Sequence, residues 1–384
     1  MARPTTSRRL RGLALAICAV ALACVAGRWL ALERLYAAIQ PPALPRSLPV
    51  VGLASRSAEA CGGCHADNAR EWRASRHGRA TTDPFFRAER EAQGGANVCL
   101  RCHAPLFEQS PRIVTGLAGI APARWRELPN PSHDATLEAE GVTCVVCHQR
   151  NQSVVGPLAL DTASIRHATE IDPSFGGDAL CVRCHAAEAF PFSRLRRAAL
   201  ATFEENAEYR RQGGDRRCID CHLPQVSRPL APGRPQRDGR SHRLLGAEDG
   251  DFLRAHLDLS ASCERTTCII HIRNRAGHRF PTGEPGRDLA IRLDPASGVG
   301  LEKHILRRMD RIALVEEEGE DDTLLPGEAR AVTLGPAAWP AVLSVRFCLY
   351  EERDPLLRAT GTPYASACVE LARWSIGADG AIAR

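Results

Sequence analysis

The sequence predicts an α+β chain in three parts: an N-terminal membrane helix, a mostly helical and irregular region, and a C-terminal β-sandwich-like domain. Three observations carry that division. Residues 12–32 are apolar and nearly uncharged behind a basic start, residues 58–250 hold ten of the sixteen cysteines at one fixed spacing, and past residue 251 apolar side chains fall on alternate positions. An apolar run of that length suits a bilayer, and alternation suits strands with one buried face.

Residues 1–11 form a basic n-region with Arg3, Arg8, Arg9 and Arg11, and Gly12 to Gly27 follows without a charge. That pairing is an export signal. Trp29-Leu30-Ala31-Leu32 extends the apolar run to spanning length, with Arg28 able to snorkel toward the headgroups. No A-x-A site follows, so the reading is an uncleaved signal anchor at 12–32, with a cleaved signal and a soluble periplasmic chain as the alternative. Ala21-Leu22-Ala23-Cys24 is only a degraded lipobox, and Ser7-Arg8-Arg9 reads as positive-inside charge. Residues 33–57 form a linker, in which Gln40 to Pro49 carries four prolines and predicts a stiff tether.

The region 58–250 is built on five CxxCH motifs: Cys61/Cys64/His65, Cys99/Cys102/His103, Cys144/Cys147/His148, Cys181/Cys184/His185 and Cys218/Cys221/His222. Two thiols at this spacing add across the vinyl groups of one haem, and the adjacent imidazole binds its iron. Zinc ribbons need paired CxxC units and no invariant His, whereas here the count is odd and the His never fails. Five covalently attached haem c groups are therefore expected. Aromatic residues make up only 5% of the chain, which fits a region whose apolar mass is porphyrin. Lys303 is the only lysine. The abundant Arg suits bidentate pairing with haem propionates, although a compositional bias explains it equally well. A net charge of +5 is mild and argues against a nucleic-acid partner.

Each iron wants a second axial ligand. The two methionines, Met1 and Met309, stand far from the motifs, so bis-His haems of low potential are expected. Eight His lie outside the motifs. His77 is expected near the C-terminal end of a helix over Ala66 to Ala80, and a second short helix is expected over Pro84 to Gln93. His133 and His167 precede the third and fourth motifs in polar, loop-like stretches, and His242 follows the fifth. Ser193 to Gln212 has helical spacing and stops at Gly213-Gly214. His278 and His256 compete for the last iron. His256 lies on an apolar stripe typical of a core His, while His278 sits in a Gly- and Pro-flanked loop that can hold an imidazole outward, so His278 is preferred and an open fifth haem is the alternative.

Trp72 to Ala80, the Gly141-Val142-Thr143 lead-in to the third motif, Ser241-His242-Arg243 and Gly277-His278-Arg279-Phe280-Pro281-Thr282-Gly283 resemble the periplasmic multihaem cytochromes similar to cytochrome c-554, over roughly residues 58–295. The resemblance implies a mostly helical haem domain with closely packed haem pairs, followed by a β-rich domain. It also places His77, His133, His167 and His242 in the family's distal-ligand segments. The fifth motif departs from the four-haem members, so their haem pairing does not transfer.

Residues 251–384 predict strands at Cys268 to Ile272, Leu289 to Leu293, Arg330 to Leu334, Val342 to Leu349 and Cys368 to Trp374. Cys263 and Cys268 flank a four-residue turn, and Cys348 and Cys368 fall on candidate strands. Disulfides suit an exported chain, with buried free thiols as the alternative. The function expected is a membrane-tethered periplasmic electron carrier between a membrane quinol or cytochrome and a periplasmic redox partner. The alternative is a multihaem oxidoreductase acting on a small nitrogen or sulfur compound at one open haem. No CxxCK motif accompanies the five sites.

Overall fold

The computed structural model describes residues 5–39, 44–92, 95, 99–120, 123–158, 166–167, 169–186, 200–310 and 315–384. The chain begins with one long helix, α1 (Thr5–Ile39). It runs past residue 32, where the apolar run stops, because Glu33, Arg34 and Leu35 continue as good helix formers. The expected tether is correspondingly shorter, and Gln40, Pro41 and Pro42 lie outside the described residues.

The CxxCH motifs lie on or at the ends of short helices: Cys61 is in Ala58–Gly62 with Cys64 and His65 just beyond it, Cys99 caps Leu100–His103, and the other three motifs lie within Cys144–His148, Ala179–His185 and Cys218–His222. One turn brings the cysteines three residues apart onto one face and sends the His out beside them. Helices this short are not stable alone and depend on what packs against them. Longer helices at Ala66–Ala74, Pro84–Ala92 and Thr202–Arg211 brace the motifs. The first ends before His77, contrary to the expected helix to Ala80. Ser75 turns extended and sends its hydroxyl back to the Trp72 carbonyl, which closes the helix early. The helix expected from Ser193 begins at Thr202, and residues 193–199 lie outside the described residues.

The haem-motif region is not purely helical. The hairpin β1 (Arg112–Ile120) and β2 (Ala123–Pro129) inserts between the second and third motifs. A small sheet of β3 (Gln149–Arg150), β4 (Ser153–Gly156) and β5 (Thr169–Ile171) follows the third, and the hairpin β6 (Gln225–Pro229) and β7 (Gln236–Arg240) follows the fifth. Their strands lack the clear apolar–polar alternation in sequence that would have revealed them.

The C-terminal part is a β-sandwich. One sheet has three strands in the order β13 (Ala329–Leu334), β9 (Thr267–Asn274), β8 (Leu257–Glu264). The other has six: β12 (Val315–Asp321), β11 (Leu301–Asp310), β10 (Asp288–Pro295), β14 (Ala341–Cys348), β15 (Cys368–Ile376) and β16 (Ile382–Ala383). Ile270 and Ile272 face Leu289, Ile291, Leu293, Leu343 and Val345 across the core, all essentially inaccessible to water. Burying each stabilises the fold by about 1.5–3 kcal/mol. Both cysteine pairs are disulfides between directly opposed residues, Cys263–Cys268 across β8 and β9, and Cys348–Cys368 across β14 and β15. The main apolar core consists of residues from 253 to 376 alone. The motif region has scattered buried residues such as Trp72, Leu100 and Val145 around a void. Phe85 stacks on Tyr350 at 4.3 Å and joins the two regions.

Candidate functional site

The void in the motif region is one continuous cavity of about 3930 Å³. That is several times the 300–1,000 Å³ of an ordinary small-molecule pocket. All ten motif cysteines and all five motif His line it, as do His77, His167, His242, His256 and His278. A chain whose apolar core is missing where its thiols and imidazoles converge fits several porphyrins well.

Four of the five motif imidazoles are held in one tautomer. Nδ1–H of His65 donates to the Leu230 carbonyl (2.7 Å), that of His103 to Ala80 (2.9 Å), that of His148 to Val155 (2.9 Å) and that of His222 to Leu245 (2.6 Å). With the proton fixed on Nδ1, the Nε2 lone pair is presented for a metal. Burial lowers the pKa of His148 and His222 to about 4 despite these bonds, so both rings are neutral at physiological pH.

Three motif rings face a second imidazole. His185 and His77 have centroids 6.2 Å apart, His148 and His242 5.9 Å, and His222 and His278 6.2 Å. Two imidazoles bound on opposite faces of one iron, each nitrogen about 2 Å from the metal, have centroids about 6 Å apart. Of the two imidazoles near the fifth motif, His278 is the one that faces His222 at that separation. His256 packs against Phe252 at 4.6 Å with a nitrogen on the Cys221 thiol, beside the attachment point and off the axis.

No second imidazole stands at that separation from His65 or His103 among the described residues. His167 lies on the cavity wall next to Gly52, whose Cβ position its backbone nearly touches. Phe86 covers His103 instead, stacked at 4.0 Å with the rings 12° apart. His133 is a correction to the sequence reading: it does not line the cavity. Its Nε2 bonds Glu138 at 2.8 Å, so the polar stretch Pro131 to Asp134 turns it into a local ion pair. His271 and His304 belong to the sandwich.

The second layer was not visible in the sequence. Glu71 takes both Arg228 guanidinium nitrogens (2.7 Å each) and the backbone N–H of His242 (2.7 Å). Burial pushes Glu71 up, but the Arg228 and His242 bonds outweigh it and hold its pKa at about 2. Trp72 donates its indole N–H to the Val142 carbonyl at 2.8 Å, and the Val142 N–H donates to the His77 carbonyl at 3.0 Å. Gly141, at φ +62°, leaves no room for a Cβ, which would press on that carbonyl. Several cavity arginines serve carboxylates rather than standing open for propionates: Arg217 and Arg240 both bind Asp220.

The motifs also touch one another. The thiols of Cys61 and Cys144, of Cys102 and Cys184, and of Cys181 and Cys218 are within hydrogen-bonding reach. Cys147 lies within electrostatic range of Cys181 and Cys184.

Residues 60–119 match the family model described as cytochrome c554 and c-prime. The solved structure of a penta-heme cytochrome c552 from Thermochromatium tepidum shares the fold, with a TM-score of 0.58 at 19% identity, over 83% of this chain and 97% of that one. By sequence and by fold, the chain is similar to the multihaem c-type cytochromes. No curated protein matches it. The likeness supports covalently bound haem c and electron transfer in general. It also agrees with the α+β architecture behind one apolar N-terminal helix.

Proposed function

We propose that this chain is a five-haem electron carrier, anchored by α1 with its haem region in the periplasm, passing electrons from a membrane quinol or cytochrome to a periplasmic redox partner. The observation that carries the reading is the three facing imidazole pairs in one unbroken cavity. When bound, haem c supplies one-electron redox chemistry at iron. The chain's own residues hold four of the motif imidazoles in place through their Nδ1–H bonds to backbone carbonyls, which would keep the ligand set of those groups unchanged. Cys61, Cys64, Cys99, Cys102, Cys144, Cys147, Cys181, Cys184, Cys218 and Cys221 would hold the five groups. His185 with His77, His148 with His242 and His222 with His278 would supply the paired imidazoles of three of the groups, and His167 is a further imidazole on the cavity wall.

The thiol contacts support an order. The first site adjoins the third, the third approaches the fourth, and the fourth adjoins both the second and the fifth. A count of haems by pyridine haemochrome together with ferric EPR tests the proposal. Five haems with at least three low-spin bis-His signals are expected, and an entirely high-spin spectrum overturns it.

A second reading rests on His103. With Phe86 stacked on its ring and no facing imidazole among the described residues, His103 would leave its iron an exchangeable position, as an oxidoreductase of a small nitrogen or sulfur compound requires. Arg76, Asp83 and Glu284 lie near enough to influence His103 electrostatically. Carbon monoxide added to the reduced protein discriminates: binding to one haem favours this reading, and an unchanged spectrum removes it.

A further inference from the structure

We propose that the β1–β2 hairpin is a membrane-surface element: latched to α1, it lies in the lipid headgroup layer and sets the orientation of the haem cavity on the bilayer. This rests on the reading of α1 as an uncleaved anchor.

The helix itself marks the boundary. From Gly12 to Ala31 every residue is exposed, including Leu13, Leu15, Val20, Leu22, Val25 and Trp29. That stretch of α1 is about 30 Å long, the thickness of a bilayer's hydrocarbon core. At Leu32 the exposure ends. Leu32 is buried and Glu33, Leu35 and Tyr36 are half-buried, one helix face packed against the hairpin.

Two polar contacts form the latch. Glu33 pairs with Arg126, and the Tyr36 hydroxyl donates to the Val114 carbonyl at 3.2 Å. Gly116 lies directly opposite Arg126 in the hairpin register, and a Cβ there would collide with the Arg126 guanidinium. Glycine at this position lets the guanidinium cross β1 to reach Glu33.

Leu32 to Tyr36 rise about 2–8 Å beyond Ala31, which is the depth of the headgroup layer outside the hydrocarbon. The hairpin is held at that level. Leu128, the cross-strand partner of Ile113 next to the Tyr36 contact at Val114, is 59% exposed, an apolar side chain suited to the interface. The same hairpin contributes Ala118, Trp125 and Glu127 to the haem cavity. One element therefore touches the anchor and the cofactor cavity at once. The lipid surface fixes the cavity wall rather than trailing it on a tether.

The test uses the full-length holoprotein in nanodiscs of phosphatidylethanolamine and phosphatidylglycerol. A photo-crosslinking residue replaces Leu128, or Val299 on the far β-sandwich as the control, which is 86% exposed. Mass spectrometry should find lipid adducts several-fold more abundant at 128 than at 299. Arg126→Glu or Gly116→Val should lower the adduct at 128, and Arg126→Glu combined with Glu33→Arg should restore it, with the haem spectrum confirming that each variant is folded. Equal labelling at the two positions, or labelling at 128 indifferent to both latch variants, overturns the proposal while leaving the anchor intact. An intact mass showing that the mature chain starts beyond α1 overturns the anchor and the latch together.

Discussion

Glu71 accepts the backbone N–H of His242 at 2.7 Å while its two oxygens hold Arg228, so a carboxylate on the helix before the second motif positions the imidazole facing the third. Charge-assisted bonds of this kind contribute about 1.5–3 kcal/mol each. Glu71→Ala should release His242 and convert the haem of the third motif from low-spin to partly high-spin, read by EPR. Glu71→Gln keeps an acceptor for the N–H and should fall between. Because the folded pKa of Glu71 is depressed to about 2, its contribution is complete above pH 4.5 and is lost as pH falls toward 2. Acid titration of the His242-dependent signal should follow that window in the native protein and lose it in Glu71→Gln.

The choice between His278 and His256 gives a second prediction. His278→Ala leaves the fifth site with one imidazole and should create one high-spin haem that binds carbon monoxide when reduced. His256→Ala removes a ring stacked on Phe252 and should leave the spin-state count unchanged. His133→Ala should likewise leave every haem signal in place, since the ring serves Glu138.

How much of this was legible follows from the range of each interaction. CxxCH spacing is local, so the five motifs that line the cavity were readable. The strands around Ile270, Ile291 and Val345 were readable because period 2 records one buried face. His278 could be preferred over His256 because Gly277 and Pro281 marked a loop. His133 was misplaced because a polar stretch gives an imidazole no direction, and Glu138, five residues on, claimed it. Glu71 and Arg228 were hidden because residues 157 positions apart leave no pattern in a single sequence. The seven-residue extension of α1 was missed because the proline count drew the boundary, while helix propensity continued through Glu33 and Leu35.

The disulfides give a third prediction. Cys348–Cys368 closes a separation of 20 residues and Cys263–Cys268 one of 5. In the chain-entropy account these restrain the unfolded state by about 3 and about 2 kcal/mol. Cys348→Ser with Cys368→Ser should therefore lower the Tm of the β-sandwich more than the Cys263/Cys268 double variant does, measured by calorimetry on the holoprotein. The haem spectrum should be unchanged by either, because no motif cysteine is involved.

A fourth prediction concerns alkaline pH. Asp288, wholly buried on β10, accepts Nδ1–H of His304 on β11 at 2.7 Å. The Asp288 hydrogen bond raises the His304 pKa above 6.5 although burial opposes it, while burial raises that of Asp288 above 3.8 although the His304 bond opposes it. A group whose folded pKa is raised lends stability that is complete below its unfolded pKa and is lost as pH rises through the folded one. The His304 part should therefore make the sandwich less stable above neutrality than at pH 6, its loss falling above pH 6.5, while the Asp288 part is lost as pH rises from 3.8. His304→Gln removes the titrating imidazole and should flatten the slope of Tm against pH across that range. A slope as steep in His304→Gln as in the native chain would show that the pair does not govern alkaline stability. Asp288→Asn, which removes the buried charge and keeps the volume, should flatten it as well.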